Sequence, residues 1–246
     1  MAGVAAMEPV RLVRFDGVQR AAHWATATLF AVVVLTAIPL TFGAVERVVG
    51  RHVLLAAVHL WAGVALPLPF LVALAGPWGR QLRRDVRRFN RWTDDELRWL
   101  WSLGRRGRAP DKFNPGQKLN AVFVSGAIAV LLGTGVVMRW FGLFPVDWRT
   151  GATFVHQVLA WAMVGVVAGH VVMALTHPTA MRSMLLGWVP GPWARRHAPA
   201  WVDEEPALPA GATAGRTGMP PRRSGPTPRR SPTAASPPRR RARPPR

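Results

Sequence analysis

Two histidines, His156 and His170, lie 14 residues apart in one long apolar segment, residues 150–176. In an α-helix that separation closes almost four turns, so both rings project from one face about 21 Å apart along the axis. Two other apolar segments carry their own histidines, His23 and His59. Because imidazole nitrogen is a common metal ligand, this pattern predicts two bis-histidine metal centres at different heights.

Four uncharged apolar blocks must position these histidines. They are residues 21–42, 52–78, 119–138 and 150–181, and they contain no Asp, Glu, Lys or Arg. Each is near or above the ~20 residues that a helix needs to cross a bilayer. The sequence therefore predicts an all-α membrane protein, a four-transmembrane-helix bundle.

The chain contains no cysteine. This excludes disulfides, thiolate-bound iron–sulfur clusters and haem attached covalently through a C-x-x-C-H motif. No Walker-type or dinucleotide-binding glycine fingerprint occurs either. Histidine is the strong metal ligand that remains in quantity.

The net charge of +20 is distributed unevenly along the chain. With four crossings, both termini and the connection 80–118 share one side, which holds all but four of the 32 Lys and Arg residues. The positive-inside rule assigns that side to the cytoplasm. We therefore interpret the positive charge mainly as a signal of membrane topology and secondarily as a means of contacting anionic lipid. We expect no nucleic-acid partner.

Local signals divide the chain further. Pro67 and Pro69 predict a kink in the second helix. Thr93 to Glu96 is a capping box, which predicts a short amphipathic helix on the cytoplasmic surface with tryptophan at headgroup level. The candidate tryptophans are Trp92, Trp99 and Trp101.

These signals predict a sequence of regions. Residues 1–20 form a cytoplasmic N-terminal segment, and residues 21–181 form the membrane domain with its cytoplasmic connection 80–118. Residues 182–205 form a cytoplasmic C-terminal segment. Residues 206–246 are rich in Pro and Arg and too poor in apolar side chains to fold, so we expect a disordered tail.

The antiparallel helix order gives each histidine a depth. It pairs His59 with His156 towards the outer face, and His23 with His170 near the cytoplasmic face. Two histidines per site are typical of a low-spin haem iron, a centre that transfers electrons and has no open position for substrate. Zinc or copper would gather three or four ligands at one height.

Small residues and three further histidines complete the inventory. Glycines near the ligand positions can admit a flat macrocycle or simply promote helix packing; they are Gly63, Gly126, Gly133, Gly135 and Gly169. His52 is a rival ligand at headgroup height with no partner at its depth. We expect structural or solvent-facing roles for His52, His177 and His197.

A set of short motifs spans residues 10–205. It comprises Arg14-Phe15, Gln19-Arg20-Ala21-Ala22-His23-Trp24, His59-x-x-x-Gly63, Arg91 through Leu97, Phe113-Asn114-Pro115-Gly116-Gln117-Lys118, His156, His170, and His177-Pro178-x-Ala180-Met181 through Trp201. Together these motifs resemble the cytochrome b (gamma) subunit of membrane-bound, quinone-linked formate dehydrogenases, a family within the broader cytochrome b561-like class.

The resemblance implies a protein of the bacterial inner membrane with both termini in the cytoplasm. It implies two haem b groups, an outer one on His59 and His156 and an inner one on His23 and His170. It also implies two partners, an iron–sulfur (beta) subunit and a molybdenum- or tungsten-pterin catalytic (alpha) subunit that itself oxidises formate. Electrons would then pass through both haems to a quinone.

The resemblance places the quinone beside His170, at Asn114, Gly116, Gln117 and Lys118. Asn, Gln and Lys can hydrogen-bond quinone carbonyls, and Gly lets a ring approach the backbone. The alternative is that this run only begins the third helix, with Pro115 near its start.

Two other functions remain open from the residues. The first is the cytochrome b subunit of a hydrogenase or of another molybdopterin oxidoreductase, although the run from Asn114 to Lys118 and the histidine spacing in the fourth helix favour formate dehydrogenase. A different class is a proton-conducting or transport bundle whose histidines relay protons.

Overall fold

The structure, a computed structural model, describes residues 10–106 and 111–204. The tail 206–246, expected to be disordered, lies outside the described residues. The described elements are, in order, β1 Arg11–Val13, α1 Gly17–Thr41, α2 Gly43–Val49, α3 His52–Ala65, α4 Leu68–Ala75, α5 Arg80–Phe89, α6 Asp94–Trp101, α7 Pro115–Arg139, α8 Val146–Thr176, α9 Pro178–Leu186, β2 Trp188–Pro190, α10 Gly191–His197 and α11 Pro199–Glu204.

Four helical segments are long and apolar enough to cross a membrane, which confirms the predicted four-helix membrane architecture. They are Gly17–Thr41, His52–Ala75, Pro115–Arg139 and Val146–Thr176. Only 6–11% of the residues in their most apolar windows are buried inside the protein. The remaining apolar surface is suited to contact with lipid, since in water such an area would be costly to expose.

The first spanning helix begins earlier than its apolar block. Asp16 is its N-cap: the Asp16 carboxylate accepts from the backbone N–H of Gln19, and the Gln19 side chain accepts from the backbone N–H of Asp16. This reciprocal capping box satisfies two N–H groups of the first turn, so the helix starts at Gly17 rather than at residue 21. The capping box predicted at Thr93 and Glu96 is confirmed at the start of α6.

The second spanning segment is interrupted where its prolines stand. Helix α3 ends at Ala65 and α4 begins at Leu68. Pro67 has no backbone N–H to donate, and its ring crowds the preceding turn. The predicted kink is therefore confirmed as a break between two helices.

The spanning helices pack as two hairpins. Helix α1 lies along α3 and α4, and α7 lies along α8. Backbone contact between the hairpins, mainly α3 with α7, is much sparser. The space between the hairpins is where histidines from one reach towards those of the other.

The segment after the fourth spanning helix is folded, which no local pattern had predicted. Strand β1 pairs antiparallel with β2, and Leu12 stands opposite Val189. Strands β1 and β2 with helices α9, α10 and α11 are termed the cap. Its apolar core consists of Leu12, Val189, Ala194, Ala198 and Trp201. The cap joins the two ends of the described chain on one side of the bundle.

Gly187 enables the turn that enters β2. Its φ is +89°, a left-handed conformation that costs other residues about 1–2 kcal/mol. Its carbonyl accepts from the backbone N–H groups of Arg14 and Phe15 at 2.8 and 3.1 Å. A Cβ here would lie 2.8 Å from the carbonyl oxygen of Phe15, closer than real contacts allow.

Replacing Gly187 with Ala is therefore expected to destabilise the cap by about 2 kcal/mol, because strain and steric overlap add. Thermal unfolding of the detergent-solubilised protein would measure this loss. Gly17→Ala is the control, because a Cβ at Gly17 meets no heavy atom within 4 Å. Equal melting temperatures for the two variants would contradict this account of the turn.

Candidate functional site

The four intramembrane histidines meet in two pairs. The rings of His59 on α3 and His156 on α8 have centroids 6.5 Å apart and planes inclined by 59°. The rings of His23 on α1 and His170 on α8 have centroids 6.3 Å apart and planes inclined by 61°. The structure thus joins the histidines that the depth argument paired. We term the first the distal pair and the second, which lies nearer the cap, the cap-side pair.

The spacing of the rings fits one metal ion between two imidazoles. With metal–nitrogen bonds of about 2.0 Å and about 1.1 Å from nitrogen to ring centre, two axial rings have centroids about 6.2 Å apart. Both observed separations, 6.3 and 6.5 Å, are close to that value. Direct ring stacking would bring the centroids nearer, as for Trp193 and His197 at 4.5 Å. The donor set therefore fits two bis-imidazole sites.

In the distal pair, the ring of His59 is held by α1. Its Nδ1 lies 3.1 Å from the carbonyl oxygen of Val33 and 3.2 Å from the hydroxyl oxygen of Thr36. Because a carbonyl oxygen only accepts hydrogen bonds, Nδ1 must carry the ring proton. The other nitrogen, Nε2, then keeps a free lone pair, which is the form that binds a metal.

The ring of His156 is held in the same way by α7. Its Nδ1 lies 2.9 Å from the hydroxyl oxygen of Thr134. That hydroxyl group donates to the α7 backbone, 2.8 Å from the Val130 carbonyl and 3.1 Å from that of Leu131. Its only hydrogen is thereby used, so its oxygen accepts from Nδ1 and leaves Nε2 of His156 unprotonated.

Space beside the histidines is open. An added Cβ at Gly63 or Gly169 would meet no heavy atom within 4 Å. At Gly135 an added Cβ would stand 3.6 Å from Cε1 of His156, so this glycine adjoins the ring directly. Small residues at these places leave room for a group broader than a bare ion.

The other three histidines have local partners. His52 Nδ1 lies 2.6 Å from the Glu46 carboxylate on the exposed surface. His177 Nδ1 donates to the Met173 carbonyl at 2.9 Å, and His197 stacks on Trp193. None of the three joins a pair. Among residues 10–106 and 111–204, no group of three or more His, Asp or Glu is arranged to hold a metal ion.

The run from Asn114 to Lys118 forms the first turn of α7. Asn114 is the N-cap: its Oδ1 accepts from the Gln117 N–H at 2.8 Å, and the Gln117 Oε1 accepts from the Asn114 N–H at 3.1 Å. Since both side-chain oxygens are used as acceptors, the orientation of both amides is determined. Their NH₂ groups have no partner among the described residues.

Lys118 is buried, with 1% of its surface exposed. Its Nζ lies 2.7 Å from the Glu96 carboxylate, donates to the Arg91 carbonyl at 2.7 Å, and stands over the Trp92 ring. The lysine thus ties α7 to α6.

Of the tryptophans expected at headgroup level, Trp101 is 89% exposed, whereas Trp99 packs near Gly116.

A buried polar cluster that sequence reasoning missed lies beside the cap. Asp85 on α5 accepts from Lys112 Nζ at 2.5 Å and from Gln19 Nε2 at 2.6 Å, and all three are at most 5% exposed. The Arg14 guanidinium donates to the Lys112 carbonyl at 3.1 Å. Burial lowers the pKa of Arg14 to about 10, although the charge of Asp85 raises it, so Arg14 remains cationic at neutral pH.

Comparison with known proteins agrees with this geometry. The family model described as prokaryotic cytochrome b561 matches residues 14–187, which contain all four paired histidines. The chain is 24% identical over 203 residues to "Formate dehydrogenase, cytochrome b556 subunit" of Haemophilus influenzae, covering 79% of this chain and 84% of that protein.

Two proteins of Escherichia coli are similarly related. "Formate dehydrogenase, cytochrome b556(fdo) subunit" is 26% identical over 210 residues, covering 78% of this chain and 92% of the relative. "Formate dehydrogenase, nitrate-inducible, cytochrome b556(Fdn) subunit" is 25% identical over 206 residues, covering 78% and 91%. With the family model matched across both histidine pairs, this multi-pass membrane protein belongs to the prokaryotic cytochrome b561 family.

Proposed function

We propose that this chain is the membrane-anchoring, di-haem cytochrome b subunit of a formate dehydrogenase. The observation that carries the proposal is the pair of bis-histidine sites, His59 with His156 and His23 with His170, at ring separations at which each pair would hold one haem iron. Haem b supplies a one-electron centre at each site when bound. The relatives named as formate dehydrogenase subunits support the identity of the complex.

The two sites lie on opposite sides of the spanning region, which suits transfer of electrons across a membrane. On α8 the paired histidines are 14 residues apart, or about 21 Å along the axis. The excess of Arg and Lys favours the cytoplasm for the side that bears the cap. Electrons would enter the distal site from an iron–sulfur (beta) subunit, which accepts them from a molybdenum- or tungsten-pterin (alpha) subunit that oxidises formate.

Quinone would receive the electrons near the cap-side pair. Its recognition would use the first turn of α7, where Asn114 and Gln117 keep their oxygens for the capping box and their NH₂ groups for another acceptor. A quinone carbonyl is such an acceptor. Lys118 would act through its buried ion pair with Glu96, which holds this turn against α6, while Gly116 and His170 would border the ring.

Haem content tests the proposal directly. The purified chain is expected to bind two haem b groups, counted by pyridine haemochrome and seen as a b-type reduced-minus-oxidised spectrum. Fewer than two haems per chain would contradict the paired-ligand assignment. A chain with no haem would instead favour a proton-conducting bundle, and copurification with hydrogenase subunits would reassign the complex.

The quinone site is tested by Asn114→Asp and Gln117→Glu. Each keeps the oxygen that the capping box needs and replaces the NH₂ donor with an acceptor. We expect the KM for quinone to rise about 3- to 10-fold, the value of one lost hydrogen bond, with haem content unchanged. Asp16→Asn, a matched change in the capping box of α1, is the control. An unchanged KM in both variants would place the quinone elsewhere.

A further inference from the structure

Two threonines stand in equivalent positions behind the distal histidines. Thr36 on α1 contacts His59 of α3, and Thr134 on α7 contacts His156 of α8. Each hairpin therefore contributes one histidine and one threonine from the neighbouring helix. The repetition of this contact in two hairpins points to a shared role.

Each threonine hydroxyl group uses its hydrogen within its own helix. The Thr36 hydroxyl donates towards the carbonyls of Val32 and Val33 at 2.8 and 3.0 Å. Thr134 does the same with the carbonyls three and four residues before it. Since the single hydroxyl hydrogen is directed to the backbone, the oxygen presents only lone pairs to the histidine. Each threonine can therefore only accept from Nδ1–H.

We propose that Thr36 and Thr134 are positioning residues for the distal haem, and that they lower its reduction potential. Accepting from Nδ1–H fixes the ring tautomer and orientation and makes Nε2 more basic. A more basic axial ligand stabilises the oxidised iron relative to the reduced iron. This inference rests on the proposed haem ligation at His59 and His156.

The effect is confined to one of the two sites. Among the described residues, no hydrogen-bond acceptor contacts a ring nitrogen of His23 or His170. In the described part of the chain, the cap-side histidines therefore have no contact that matches the one from Thr36 or Thr134. Substitution of the threonines should change the distal haem alone, so the cap-side haem serves as an internal reference within the same molecule.

Valine is the appropriate replacement because it has the shape of threonine without the hydroxyl group. In Thr36→Val and Thr134→Val, the distal haem is expected to titrate at a more positive midpoint potential. The shift should be partial in both variants, since each ring keeps a backbone carbonyl as an acceptor, Val33 for His59 and Leu131 for His156. Thr36→Ser and Thr134→Ser restore the oxygen and should restore the potential. Both midpoints are measured by redox titration of the reduced-minus-oxidised spectrum.

Thr28→Val is the matched control. Thr28 lies on α1, is exposed, and donates to the Trp24 carbonyl at 2.9 Å without contacting a histidine. In Thr28→Val, the midpoint potential of the distal haem should equal that of the wild type. An unshifted distal haem in both valine variants, or equal shifts in valine and serine variants, would overturn the proposal.

A loss of haem in the wild type tests the proposed function, whereas a loss of haem in the valine variants tests the role of the threonines. If the wild type holds no distal haem, the proposed function itself fails. If the wild type holds two haems and a valine variant loses only the distal one, with serine retaining it, the positioning role is supported. Loss of both haems in the valine variants but not in Thr28→Val would overturn it, because the role would then be general packing.

Discussion

Replacing His170 with Ala is expected to reduce the haem content from two groups to one and to abolish quinone reduction. The cap-side pair would lose one of the two histidines that would hold its haem, and the haem proposed to reduce quinone would be lost with it. The distal pair, about 21 Å away along α8, shares no side chain with this site. Haem should therefore remain at His59 and His156 and should still be reducible.

A haemochrome count and a redox titration of the purified variant measure this result. His177→Ala is the matched control, since His177 follows the same helix and its ring bonds the Met173 carbonyl and the Thr176 hydroxyl rather than a second histidine among the described residues. It should keep both haems. If His170→Ala loses both haems, the change is a folding defect, and the assignment of separate sites would need revision.

The second large effect is expected at Asp85. Asp85→Ala removes the buried carboxylate that binds both the Lys112 ammonium group and the Gln19 amide. Breaking a buried ion pair from one side typically costs about 3–5 kcal/mol. We expect a marked fall in melting temperature and early proteolysis at the cap.

Asp95→Ala provides the comparison for this variant. Asp95 pairs with Arg98, but the side chains are 53% and 64% exposed, so water replaces the lost contact. Its melting temperature should match the wild type. A similar loss in the two variants would mean that the Asp85 cluster contributes no more than a surface pair. Haem content, measured in parallel, tells whether the cluster also supports the cap-side pair.

The membrane architecture and the pairing of the histidines were predictable because both depend on local information. Runs without charge identify helices that can span lipid, and their antiparallel order assigns each histidine a depth. Pro67 and Pro69 interrupt the helix at their own positions, and the capping box at Thr93 starts a helix at the next residue. The depth of each histidine likewise follows from its position within its own helix, although the paired histidines are far apart in the chain.

The cap was not predictable on the same basis. Strand β1 has only three residues, and its partner β2 lies more than 170 positions later. Trp201 is fully buried because Leu12 of β1 and the segment from Val189 to Ala198 pack around it. A short strand has too little periodicity to identify itself, and its stability comes from partners that the local sequence does not specify.

The run at Asn114 illustrates a different limit. Both interpretations, a helix start and a ligand-binding turn, were compatible with the residue types. In the structure the oxygens of Asn114 and Gln117 form the capping box, and their NH₂ groups are left over for a ligand. The capping role is established by these hydrogen bonds, and the quinone role remains a proposal for the variants described above.

By itself, the sequence determined the number of spanning helices, the heights of the four histidines and the partner of each. Only the tertiary structure decided which nitrogen each distal histidine presents, and which carboxylate holds the buried lysines at 112 and 118. The reason is physical. The hydropathy of a segment and the depth of a residue within it follow from the residues of that segment alone. A hydrogen bond requires two atoms to lie within about 3 Å of each other, and only the folded backbone brings such atoms together.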